Sequence, residues 1–107
     1  MKKLATMKML LCSSLLVISV TAQAEGDAAK GKKNTQMCVG CHGIDGYRTA
    51  CPKVYNVPKI GGQHSAYLVQ ALQAYKTGAR SHPSMRGIAQ NLSKQDMEDL
   101  AAYYAGK

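Results

Sequence analysis

Two thiols and an imidazole fall within five residues of this chain, Cys38-Val39-Gly40-Cys41-His42. On a helix, positions three apart share a face. Both sulfurs therefore reach one flat partner, and the adjacent histidine offers a ring nitrogen to a metal at its centre. This is the spacing at which two thiols add to the vinyl groups of a porphyrin while the histidine takes one axial position on its iron. The expectation is one covalently bound haem c, held by Cys38 and Cys41, with His42 on the iron. Three other chemistries use part of the pattern. A redox dithiol wants a βαβ context, and none is visible. Zinc would draw further ligands from Cys51, His64 and His82, at spacings that match no common zinc pattern. A disulfide between Cys38 and Cys41 would leave His42 without a role.

A haem iron has a second axial position, and a methionine there favours ferrous iron and a higher potential. Beyond the N-terminal segment the methionines are Met37, Met85 and Met97. Met37 abuts Cys38 and falls on the wrong side. Met97 belongs to an apolar stripe, where packing explains it. Met85 lies between Pro83 and Gly87, far enough along the chain to return across a haem, and is the expected sixth ligand. His82 is the rival, and bis-histidine ligation would lower the potential.

Haem attachment of this kind takes place outside the cytoplasm, and the N-terminus fits. Lys2, Lys3 and Lys8 precede an apolar run from Met9 to Val20, and Ala22-Gln23-Ala24 supplies a small-x-small cleavage site. The expectation is a signal peptide over residues 1–24, cleaved after Ala24, and a periplasmic domain over residues 25–107. The rival reading keeps the apolar run as an anchor, although it is short for a bilayer. Cys12 falls inside the run as an ordinary apolar residue. A domain this small has little core volume, and the chain contains no Phe and no Trp. A porphyrin would supply the missing apolar mass.

The whole chain carries 14 Lys and Arg against 6 Asp and Glu, a formal net charge of +8. All six acidic residues lie beyond residue 24, yet the exported part stays basic. Export argues against nucleic acid, which leaves redox proteins with acidic docking surfaces, including peripheral membrane complexes, as expected partners. Lys30, Lys32 and Lys33 also read simply as the solvated face of a helix.

Three helices must position these residues. Asp27 is a plausible N-cap for the first, running toward Met37 and delivering Cys38. The second spans Ser65 to Thr77, with Tyr67, Leu68, Ala71, Leu72 and Tyr75 at helical spacing and Gly78 as its stop. The third starts at Ser93, where Asp96 completes a capping box, and carries Met97, Leu100, Ala101 and Tyr104 on one face. Gly43 to Gln63 and Ala79 to Asn91 read as irregular stretches, and no strand pattern rises above noise.

The chain resembles the class I c-type cytochromes, specifically small bacterial periplasmic ones related to one half of the tandem two-haem cytochromes. The resemblance rests on Gly26-Asp27-Ala28-Ala29-Lys30-Gly31-Lys32, Cys38 to Gly43, Val57-Pro58-Lys59-Ile60-Gly61-Gly62-Gln63, Tyr67-Leu68, Gly78-Ala79-Arg80, Met85 and Leu100-Ala101-Ala102-Tyr103-Tyr104. It implies an all-α class I cytochrome c fold, with three main helices and irregular loops wrapped around one covalent haem. It implies that the Pro58 carbonyl accepts from the His42 ring, that Gly31 lets the first helix cross the last near Tyr103 or Tyr104, and that Arg80 pairs with a haem propionate. A solvent-exposed Arg80 remains the alternative. Cys51 is unusual for the family. It is left either as an inert thiol or as the site of a disulfide-linked dimer. The function implied is single-electron transfer between respiratory complexes or periplasmic redox enzymes, with no chemistry on a substrate. The alternative is a stably bound cytochrome subunit of a periplasmic dehydrogenase or oxidase.

Overall fold

The first helix is capped as its sequence suggests. Asp27 is extended, and its carboxylate accepts from the Ala29 and Lys30 amides at 2.9 and 3.2 Å. The computed structural model that shows this describes residues 26–50 and 53–107. The leader over 1–24, Cys12 and Cys51, with the cleavage and dimer expectations attached to them, lies outside the described residues. Within these bounds the elements are α1 (Ala28–Lys33), α2 (Gln36–His42), β1 (Arg48–Thr49), β2 (Tyr55–Asn56), α3 (Ser65–Thr77), α4 (Pro83–Gln90) and α5 (Lys94–Ala105). The two short strands pair antiparallel, Arg48 opposite Asn56 and Thr49 opposite Tyr55.

Three expectations need correction, and the strand pair is the first, since it lies inside the Gly43 to Gln63 stretch read as irregular and without strands. The single helix from Asp27 toward Met37 is broken at Asn34-Thr35. The Thr35 hydroxyl donates to the Lys32 carbonyl at 2.8 Å, a local bond that competes with helix continuation. The helix restarts when Cys38 and Val39 donate to the Thr35 carbonyl at 2.8 and 3.0 Å. Ala79 to Asn91 is not irregular throughout, because Pro83–Gln90 is helical and Met85 stands in its first turn. Pro83 occupies the first helical position, where its missing N–H costs nothing and its φ is preset. The described residues therefore form five helices rather than three, while the mostly helical class stands.

The other boundaries follow their sequence signals. α3 ends at Gly78, which takes φ 84°, a left-handed stop that glycine adopts without strain. α5 opens with a complete capping box: the Ser93 hydroxyl accepts from the Asp96 amide at 3.1 Å, and the Asp96 carboxylate accepts from the Ser93 amide at 2.9 Å. α5 is also the centre of the packing. α1 and α3 both lie against it, and α4 lies against α3. The buried apolar side chains among the described residues are Leu68, Ala89, Met97, Leu100 and Ala101.

The α1–α5 crossing is close because Gly31 faces α5. A Cβ at residue 31 would overlap the Asp99 carbonyl and lie 3.0 Å from the Tyr103 Cβ. Beside it, the buried Asp99 carboxylate accepts from the Asp27 amide at 2.7 Å and from Gln95 Nε2 at 2.9 Å. The Asp27 hydrogen bond, then that from Gln95, holds the Asp99 carboxyl below its ordinary range.

Gly31→Ala should destabilise the protein by about 1–3 kcal/mol, the range for overpacking a tight contact, measured by denaturant unfolding of the holoprotein. Asp99 ionises more readily folded than unfolded. Its contribution is thus complete above the ordinary carboxylate pKa of about 4 and is lost as pH falls through the lower folded value. Melting temperature should hold from neutral pH to about pH 5 and fall below about pH 4. Asp99→Asn should lower the plateau and shallow that fall. An acid limb unchanged in the variant would rule out this role for the carboxylate.

Candidate haem site

α2 presents Cys38 and Cys41 three residues apart, as half-buried free thiols. Burial pushes the Cys38 thiol up, and the neighbouring Tyr104 hydroxyl pulls it partly back. That hydroxyl is itself buried and has no hydrogen bond of full geometry. Burial first, then the adjacent sulfur, suppresses its ionisation. Sequence reasoning placed Tyr104 only on the apolar stripe of the last helix or at the Gly31 crossing. The structure instead sets Tyr103 at Gly31 and the Tyr104 hydroxyl at Cys38.

His42 closes α2, and its Nδ1 lies 2.8 Å from the Pro58 carbonyl. A carbonyl only accepts, so Nδ1 is the donor, and in the neutral ring this leaves the Nε2 lone pair for a metal. The strap that carries Pro58 is itself tied down. The Gly62 amide donates to the Tyr104 carbonyl at 2.8 Å, and exposed Lys59 pairs with Asp45 at 3.1 Å. His42 also edges a shallow groove shared with Ile60, Tyr103 and Tyr104.

Met85 belongs to a second group. Half-buried on α4, it donates its amide to His82 Nδ1 at 3.3 Å. His82, the rival ligand, is half-buried. Its ring lies 4.3 Å from that of Tyr55 and 6.3 Å from that of Tyr75. Arg80 is exposed, stacked 4.9 Å over the Tyr75 ring and 3.4 Å from the Tyr67 hydroxyl. His64 is exposed at the start of α3. Among the described residues no three His, Cys, Asp or Glu side chains cluster as ligands for a bare ion, and no helix is long and apolar enough to cross a membrane.

The residues present fit a covalently attached haem. Two free thiols share one helical face, an imidazole uses Nδ1 on a carbonyl and leaves Nε2 as its other nitrogen, and a thioether stands on a separate helix. The family model for cytochrome c matches residues 28–105, and the chain belongs to that family. It is a class I c-type cytochrome that binds haem c covalently and is homologous to cytochrome c4. It is 42% identical over 103 residues to cytochrome c4 of Pseudomonas aeruginosa, across 94% of this chain and 49% of that protein. It is 40% identical over 85 residues to cytochrome c-554(548) of Halomonas halodenitrificans, across 77% of this chain and 98% of that one. The crystal structure of reduced recombinant cytochrome c4 from Pseudomonas stutzeri superposes with a TM-score of 0.63 at 37% identity, covering 77% of this chain and 46% of that one. The chain thus spans about half the length of the cytochrome c4 proteins it matches.

Acidified organic solvent should leave haem on the wild-type polypeptide. It should also leave haem on Cys38→Ser or Cys41→Ser, each through the remaining thioether, and strip it from the double variant. The readout is haem absorbance co-migrating with the chain under denaturing conditions.

Proposed function

We propose that this haem c electron carrier works in the periplasm with one haem, attached through Cys38 and Cys41 and ligated axially by His42 and Met85. The observation that carries the reading is the 2.8 Å hydrogen bond between His42 Nδ1 and the Pro58 carbonyl. It fixes the ring's orientation, commits Nδ1 as the donor so that Nε2 is the nitrogen left to face a metal, and makes the imidazole a stronger ligand. Met85 suits the opposite ligand because α4 holds it in a capped first turn, apart from the packing core that occupies Met97, which is 1% exposed. Held by these residues, a haem would supply one-electron redox chemistry, and a sulfur ligand would raise its potential.

The protein's own part is then to hold and to shield. With His42 and Met85 as its two protein ligands, a bound haem would have little room for small molecules at its iron. Exposed Lys30, Lys32 and Lys33 on α1 add to a basic surface suited to brief docking on acidic redox partners. Arg80, engaged by Tyr67 and Tyr75 on α3, is the proposed propionate partner. The periplasmic location rests on the leader pattern of residues 1–24.

The test is the spectrum of the oxidised holoprotein, joined to a redox titration. A weak methionine-to-iron charge-transfer band is expected at the red end of the visible range. Met85→Ala should abolish it, lower the midpoint potential and open the ferrous iron to carbon monoxide. A wild-type protein that is high-spin and binds carbon monoxide readily would sink the carrier reading.

A further inference from the structure

The helix that carries Met85 begins on an unusual cap. Ser, Thr, Asp and Asn are the side chains that ordinarily accept from the first free amides of a helix. Here His82 does so, in an extended conformation, with Nδ1 accepting from the Met85 amide. Accepting requires an unprotonated Nδ1, so the neutral ring carries its proton on Nε2. With Pro83 first in the helix, Met85 is third, one of the two positions whose amide a cap can serve. The ring is also gripped from two distant parts of the chain. Tyr55 of β2 stands 4.3 Å away at 46°, and Tyr75 of α3 stands 6.3 Å away, edge-on at 78°. A serine or aspartate would satisfy the amide but reach neither tyrosine.

We propose that His82 is a positioning residue for Met85: its imidazole, fixed by Tyr55 and Tyr75, pins the first turn of α4 at the Met85 amide and so sets where the thioether sulfur meets the iron. The inference rests on the reading of Met85 as the sixth ligand. It makes the β-ribbon, through Tyr55, part of the support of a ligand that is remote from it in sequence.

The test uses ferric holoprotein titrated with imidazole, which binds the iron only when the Met85 sulfur leaves, with the charge-transfer band recorded in parallel. His82→Phe keeps a ring for the tyrosines but cannot accept from the amide. It should weaken the band and raise apparent imidazole affinity roughly five- to tenfold, as expected for the loss of a helix cap that biases the bound state. His82→Asn can cap but reaches neither tyrosine, and should return both readouts only part of the way to wild type. In a Met85→Ala background, His82→Phe should leave imidazole affinity unchanged, since there is no sulfur to position. A His82→Phe protein with wild-type band and affinity overturns the proposal even if its melting temperature falls, because the cap then serves stability alone. A wild-type protein without the band overturns the ligand reading itself, a failure distinct from that of the cap.

Discussion

The contact on which the rest depends is the crossing of α1 over α5 at Gly31. Nothing larger than a hydrogen fits there against the Asp99 carbonyl. Closeness brings the start of α1 within reach of the Asp99 carboxylate, which accepts from Asp27 while Asp27 caps α1. The same helix α5 buries Met97, Leu100 and Ala101 and ends in the two tyrosines that touch α1 and the attachment helix. Such a short chain has few apolar side chains to spend on a core. It places them where its ends meet and leaves the cofactor's surroundings to thin, hydrogen-bonded straps.

Much of this was legible in the residues. α3 and its Gly78 stop, and the Ser93–Asp96 capping box of α5, are read directly because local chemistry and apolar spacing agree there. The Cys38-Cys41-His42 cluster stands out for the same reason, since no packing explanation competes for it. The break at Asn34-Thr35 was hidden because it depends on which acceptor the Thr35 hydroxyl chooses. α4 was hidden by Pro83 and Gly87, which read as loop punctuation. Yet Met85, Ile88, Ala89 and Leu92 recur at helical spacing, and Pro83 is well placed at a helix start. Given weight together, these signals would have revealed the helix. The cap from His82 and the approach of Tyr104 to Cys38 are tertiary facts with no local signature.

The two candidate iron ligands rest on supports of different kind. His42 is aimed by a carbonyl on a strap whose anchor is the last turn of α5. Met85 is carried by a capped helix packed on α3, with a ring from the β-ribbon at its base. Surface ion pairs contribute little to either. Lys59–Asp45 is well exposed on both sides, where such pairs are worth about 0–1 kcal/mol.

Tyr104 makes the two ends of the described fold depend on one another. Its carbonyl holds Gly62 and its hydroxyl lies beside the sulfur of Cys38, so the next-to-last residue of α5 meets both the strap and the attachment helix. Those contacts are remote in sequence, and closing them requires nearly the whole described chain to be present. The strap that aims His42 is therefore secured where α5 closes on it. The aim of the histidine belongs to the closed fold, not to the five residues that carry the thiols and the imidazole.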